Sequence, residues 1–285
     1  MLAVYDLECN PPTYDVVAFL ALLEVERLRR GEEHIDLHIL PGPIGGFRHD
    51  GLWPRSIEQR VAIRRNILVP ICRLLPSIRS VTVQPTRVVP VGDEFGFRVR
   101  KISLPAIVEA MKHDSRPLRG AKAIHGHRVE ERLITLTLRE ADHWPLRNSK
   151  TREWIEAAIA LEGLGYQVIV IRDTCQADKP IASVKTSPLA SKNLNHRASL
   201  YMEAVLNVGI SNGPMWMALF MDVPTLMLRP VTEAAHGYNA SFFKRCGLPK
   251  DTQLANSPSY QRLAWVDDTC ENIVNEIGEM LCVIG

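Results

Sequence analysis

Short apolar runs alternate along this chain with longer stretches in which apolar residues recur every third or fourth position. Residues 1–7 (MLAVYDL) predict a strand, ended by Asn10-Pro11-Pro12. From Tyr14 to about Arg30, Val16, Phe19, Leu20, Leu23 and Leu28 keep helical spacing, with Thr13 as cap, Asp15 in the first turn and Gly31 at the end. Residues 34–40 predict a second strand and residues 41–46 a glycine-rich loop. The pattern over 56–75 is helical with a bend at Pro70, and 78–83 predicts a third strand. Prolines and glycines break up 85–128, apart from a short helix at 105–112.

The second half has a cleaner rhythm. A strand at 133–138 leads to a helix at 149–164, capped by Ser149 and stopped by Gly165, and then to a strand at 167–171. After a polar loop (174–191) come a helix at 195–204 and a strand at 205–210. The turn Ser211-Asn212-Gly213-Pro214 opens a short helix (215–221), and a strand follows at 224–228. A last strand near 263–265 precedes a helix whose start, Asp268-Thr269-Cys270-Glu271, has capping-box spacing. Strands alternating with helices imply parallel sheets. The expected fold class is α/β, with two Rossmann-like parallel-sheet lobes facing a cleft: residues 1–120, and residues 121–285 on the far side of an irregular connector.

Composition narrows the class. Apolar content of 46% against 23% charged is that of a soluble globule with a real core, and a net charge of +2 argues against nucleic acid as the partner. Six cysteines without a C-x-x-C pair fit reduced thiols and a cytoplasmic setting. Asp6 and Glu8 fall in or beside the first apolar run with no basic segment before it, unlike a secretory signal. The longest apolar patch, 16–23, is far short of a bilayer span, which leaves only peripheral membrane association open.

In open parallel sheets, ligands bind outside the carboxyl ends of the strands. Three loops of the second half converge there. In the Ser211–Met215 turn, Ser211 or Asn212 can cap the helix, Gly213 admits a ligand to the backbone, and Pro214 suits the first helical position. Free N–H groups at such a helix start can seat a phosphate, although the same turn also serves as an ordinary crossover. The loop after Leu138 offers Arg139, Trp144, Arg147, Asn148 and Ser149, and guanidinium forks suit phosphate oxygens. The plainer alternative pairs Arg139 with Glu140 or Asp142 and buries Trp144. Asp173 comes after the next strand and would accept from a ribose or base, or simply cap the adjoining segment. Beyond 228, Arg229 or Glu233 can reach a ligand on the same edge, and His236 reads as solvated. In the first half, Gly45, Gly46 and Arg48 would border the cleft, together with Asp15 and Asp50; a first-turn carboxylate such as Asp15 is also explained by the helix dipole alone. No G-x-G-x-x-G after a strand, P-loop, G-x-S-x-G, H-E-x-x-H or Asp-x-Asp metal pair occurs. What remains is a site without metal or cofactor that neutralises phosphate with arginines and helix N-termini.

Over residues 133–149 (ending READHWPLRNS), 154–173 and 207–228 (NVGISNGPMWMALFMDVPTLML) the chain resembles the nucleotide-sugar-binding domain of GT-B glycosyltransferases, nearest to heptosyltransferase-like enzymes. Over the first half the likeness is architectural only. The family's Asp-Thr/Ser-Gly turn appears as Ser211-Asn212-Gly213, without the acid, and the E-x7-E signature of many retaining enzymes is missing, since Ser241 stands at that spacing from Glu233. The resemblance implies metal-independent, inverting transfer of a sugar from a nucleotide-sugar donor to a glycan or lipid-linked acceptor hydroxyl. It implies donor binding by Arg139, Arg147, Asn148, Ser149, Asp173, Ser211, Asn212, Gly213, Pro214, Met215 and Glu233, acceptor contacts from Gly45, Gly46 and Arg48, and a base at Asp15 or Asp50. A nucleotide-sugar epimerase or hydrolase of the same fold, or a non-catalytic binding protein, is the alternative.

Overall fold

A computed structural model describes residues 1–49, 55–88, 95–97, 103–114, 116–119, 130–142, 144–233 and 238–285. The chain divides into two compact units, Met1–Lys122 and Ala123–Gly285.

The first unit runs β1 (Leu2–Asp6), α1 (Val16–Arg30), β2 (Ile35–Leu40), α2 (Ile57–Ile63), α3 (Val69–Leu74), β3 (Ile78–Val83), β4 (Phe95–Phe97) and α4 (Ser103–Lys112). Its strands pair in the order β3-β2-β1-β4, all parallel. Leu37 and Ile39 are fully buried with Leu20 and Leu23 of α1, and the Tyr5 ring meets Phe19 edge-on at 5.2 Å. α1 starts two residues later than its apolar spacing predicts. The Thr13 hydroxyl accepts from the Asp15 amide (3.4 Å) and the Thr13 carbonyl from that of Val16 (3.2 Å), making a separate turn before the helix. Gly31 closes it in the left-handed conformation (φ 67°), which costs glycine nothing. Ser56 and Gln59 form a capping box at the start of α2. The interruption expected at Pro70 takes the form of a π turn at Arg64–Leu68, just before α3. Pro70 has no N–H and its ring crowds the carbonyl four residues back, so the chain widens to let Val69 N–H reach Arg64 O instead. β4 lies within the stretch that its prolines and glycines mark as irregular.

The second unit runs β5 (Glu130–Thr137), α5 (Thr151–Gly163), β6 (Gln167–Ile171), α6 (Pro188–Lys192), α7 (Leu194–Glu203), β7 (Ala204–Ile210), α8 (Gly213–Phe220), β8 (Thr225–Leu228), α9 (Ala240–Arg245), β9 (Gln261–Ala264) and α10 (Cys270–Ile284). Its parallel sheet has the order β6-β5-β7-β8-β9. Leu136, Leu206, Val208 and Leu226 pack with Trp154 of α5 and Ile277 of α10 in one apolar core. α8 is buried from Met215 to Phe220. It lies so close to β7 that a Cβ on Gly209 would stand 2.7 Å from Thr137 O and 2.9 Å from the Met215 side chain.

Ser149 is not the cap of α5. Lys150 holds that position, and its amide donates to Asp268 Oδ2 (2.9 Å), which also accepts from Trp154 Nε1 (2.8 Å). In return Glu153 Oε2 accepts from the Cys270 amide at 2.7 Å. Thr269 rather than Asp268 therefore caps α10, accepting from Asn272 N at 3.3 Å. The α/β class with two parallel sheets is as the sequence predicts. Among the described residues no helix is long and apolar enough to cross a membrane.

Candidate functional site

The loop after β5 is a closed clasp. The Arg139 amide donates to Ser149 Oγ (2.9 Å) and its carbonyl accepts from Ser149 N (2.9 Å). Asn148 takes the Ala141 amide on Oδ1 (3.1 Å) and donates to the Ala141 carbonyl (2.9 Å). Ser149 and Asn148 thus spend their polar atoms holding the loop. Arg139 is buried, and its Nη1 donates to Asn148 Oδ1 and to Trp144 O (3.1 Å). Burial, reinforced by the charge of Arg147, brings its pKa down to about 10, against smaller opposing effects of Tyr238 and Asp173. The plainer pairing of Arg139 with Glu140 does not form, because Glu140 Oε2 accepts from Arg172 Nε at 2.9 Å. Nor is Trp144 core: it is 43% exposed and left-handed (φ 56°), with its carbonyl held by Arg139 and by the Arg147 amide (3.0 Å).

Arg147 lies with its guanidinium carbon 4.4 Å from the centre of the Tyr238 ring. Its Nε is buried and meets no acceptor among the described residues. The same holds for Nε of Arg229, whose Nη1 donates to Ser211 Oγ at 3.0 Å. The Tyr238 hydroxyl donates to Ser211 O at 2.7 Å. Burial pushes Arg229 down to about 10; Tyr238 opposes that and Arg147 adds to it. Burial of Tyr238 disfavours its phenolate, yet Arg147 and Arg229 outweigh this and hold its pKa below the usual phenol range.

At the turn, Asn212 is the helix cap, accepting from Met215 N at 3.0 Å. Gly213 is the first helical residue and Pro214 the second, one place later than expected. The Met215 amide is therefore satisfied and Pro214 has none. Within 212–215, this leaves the Asn212 and Gly213 amides, which meet no acceptor among the described residues, as the donors available to an anion. Asp173 serves as a cap, accepting from Cys175 N at 3.5 Å, and Glu233 is exposed.

In the first unit, Gly45 (φ 57°) and Gly46 (φ 88°) form a tight turn between Ile44 and Phe47, whose backbones exchange hydrogen bonds of 2.8 and 3.0 Å. Positive φ at both positions is the reason for two glycines. Arg48 donates to Cys9 O at 3.3 Å, and its own carbonyl accepts from Arg60 at 2.9 Å. Asp15 stands at the N-cap of α1 without a capping bond from its side chain. Asp50 and His236 lie outside the described residues. The structure therefore gathers Arg139, Arg147 and Ser211 at one corner beside the Asn212–Gly213 turn, while Asn148, Ser149, Asp173 and Met215 hold local structure.

Sequence reasoning missed Tyr238 and gave Arg229 only a passing place. Asn239 was a readable signal: a cap followed by Phe242 and Phe243 announces α9 and fixes Tyr238 just ahead of it. Among the described residues, no group of three His, Cys, Asp or Glu side chains is placed to share a metal ion.

The chain thus carries two parallel-sheet α/β units, the second with a cationic corner at the carboxyl ends of its strands. It shares its fold with E. coli ADP-heptose LPS heptosyltransferase II (TM-score 0.58, 12% identity, 99% of each chain covered). E. coli heptosyltransferase WaaC with ADP is similar too (0.53, 10%, 100% of each chain), as is WaaC with ADP-2-deoxy-2-fluoro heptose (0.50, 12%, 100% of each). No family model matches the chain, and none of the curated proteins does.

Proposed function

We propose that this protein is a glycosyltransferase that takes a sugar from a nucleoside-diphosphate donor and passes it to a glycan or lipid-linked acceptor in the cytoplasm. One observation carries the reading: Arg147 and Arg229 converge on the Ser211 corner with buried Nε atoms that have no acceptor among the described residues. Guanidiniums that repel one another in a buried place are relieved by a bound anion. The fold likeness supports a diphosphate as that anion, and ADP is present in one of the WaaC structures.

In this reading Arg139, Arg147 and the Asn212 and Gly213 amides receive the negative charge that grows on the departing diphosphate. Each such donor lowers the barrier by about 2–4 kcal/mol where it acts only on the developing charge. The arginines do the neutralising that a divalent cation does elsewhere, so the reaction is metal-independent. Displacement at the anomeric carbon is single and inverting, with Asp15 or Asp50 taking the acceptor proton and Gly45, Gly46 and Arg48 facing the acceptor. Ser211 orients the turn, and Asp173 and Glu233 lie toward the nucleoside.

The test is turnover of a labelled nucleotide-sugar panel, ADP-heptose first, read as release of nucleoside diphosphate. Asp15→Asn should abolish transfer while sparing donor binding. Failure of every nucleoside diphosphate to bind by calorimetry would overturn the proposal, and an active Asp15→Asn would remove that residue as the base.

A further inference from the structure

Arg229 follows β8 directly, its amide fixed to Ala264 O at 2.7 Å. Its guanidinium carbon lies 4.4 Å from the Phe243 ring centre, 5.2 Å from Trp216 and 5.5 Å from Trp265. The side chain is buried, and among the described residues no carboxylate pairs with it. An aromatic box of this kind would accept a methionine or leucine without the cost of desolvating a cation. Stacking against three rings recovers part of that cost, but Nε stays without an acceptor.

The connections of this charge all lead to one place. Nη1 holds the Ser211 hydroxyl, Tyr238 holds the Ser211 carbonyl, and Trp216 belongs to α8, the helix that Ser211 introduces. Ser211 is therefore held at its hydroxyl and its carbonyl, and its amide donates to Leu228 O at 3.1 Å, immediately before the two amides left open to an anion. Tyr238 also sits against Arg147, 4.4 Å from its guanidinium carbon. Arg229 is 2% exposed, and its hydrogen bond to the turn among the described residues runs to Ser211.

We infer that Arg229 is a positioning residue: a buried, fixed positive charge that sets the Ser211–Gly213 turn, through Ser211, for a diphosphate. The inference rests on the donor-site reading above and deepens it: that reading takes the unsatisfied Arg229 Nε as a sign of an anion but assigns the anion's contacts to Arg139, Arg147 and the turn amides and gives Arg229 no role of its own. A role confined to packing predicts that an apolar residue of the same length replaces Arg229 without loss of anion affinity. A role in charge and orientation predicts the reverse.

The experiment uses the full chain with inorganic pyrophosphate and ADP as calorimetric probes. Arg229→Met should weaken pyrophosphate binding by about tenfold or more, the scale of one lost charge-assisted bond. It should also flatten the dependence of affinity on salt. Arg229→Lys, which keeps the charge, should recover most of the affinity. Ser211→Ala cuts the link without touching the aromatic box and should weaken both probes in the same direction. The tyrosinate absorbance that Tyr238→Phe removes should titrate at higher pH in Arg229→Met, since one of the two cations favouring the phenolate is gone. If Arg229→Met does not fold, Arg229→Lys and Ser211→Ala decide. Wild-type affinity in Ser211→Ala, or equal losses in Arg229→Lys and Arg229→Met, overturns the inference while the donor site stands. If the wild-type protein binds neither probe, the donor reading falls and takes this one with it.

Discussion

Arg147 is the arginine of the cluster best able to meet a ligand: it is half-buried where Arg139 and Arg229 are buried, and its side chain leans on a ring, with no carboxylate paired to it among the described residues. Arg147→Ala should therefore weaken nucleoside-diphosphate binding by about 1.5–3 kcal/mol, the range for a hydrogen bond to a charged group. Calorimetry checks this, with circular dichroism expected to show an intact fold. At this scale the sequence was legible in part. Arg139 and Arg147 stand out because two guanidiniums close to one strand end have few uses. Ser149 and Asn148 misled for a physical reason: short polar side chains bond equally well to ligands and to nearby backbone, and here the Arg139 and Ala141 backbones claim them. The burial of Arg229 could not be read at all, since its box is made by Trp216, Phe243 and Trp265, brought together only by the fold.

Elements with a strong period are where sequence and structure agree. β3 and β6 span the residues that their apolar pattern predicts, because each is framed by breakers and rich in β-branched side chains. The start of α5 moved by two residues because a side chain from elsewhere, Asp268, takes the Lys150 amide. β4, with three residues, and α9, with six, were missed because so short an element shows no period. Gly209 is a case where element packing and function meet. A methyl group there would press on Thr137 O and on Met215, in the first turns of α8. Gly209→Ala should destabilise the second unit by about 1–3 kcal/mol through overpacking. It should also lower nucleotide affinity, because the Gly213 amide moves with α8. Urea titration and calorimetry on the same sample check both; wild-type affinity in a destabilised variant would separate α8 from the anion site.

At the scale of the molecule, each unit has its own parallel sheet and its own buried apolar residues, the usual mark of parts that fold on their own. All the groups assigned to the donor diphosphate come from the second unit. Ala123–Gly285 expressed alone should therefore fold cooperatively and bind nucleoside diphosphate within about tenfold of the full chain, a difference of about 1.4 kcal/mol. Loss of all binding would mean that the first unit supplies an essential contact.

The exchange between α5 and α10 reaches further than two hydrogen bonds suggest. Glu153 and Cys270 are 117 residues apart, yet Glu153 of α5 closes the opening turn of α10, and Asp268, two residues ahead of α10, closes that of α5. The chain between them is thereby tied into a loop without a covalent link, and Ser211, Arg229 and Tyr238 all fall inside it. Neither helix can peel back from its amino end without undoing its counterpart, and the knot is tied at Lys150, the residue after Ser149 that closes the Arg139 loop.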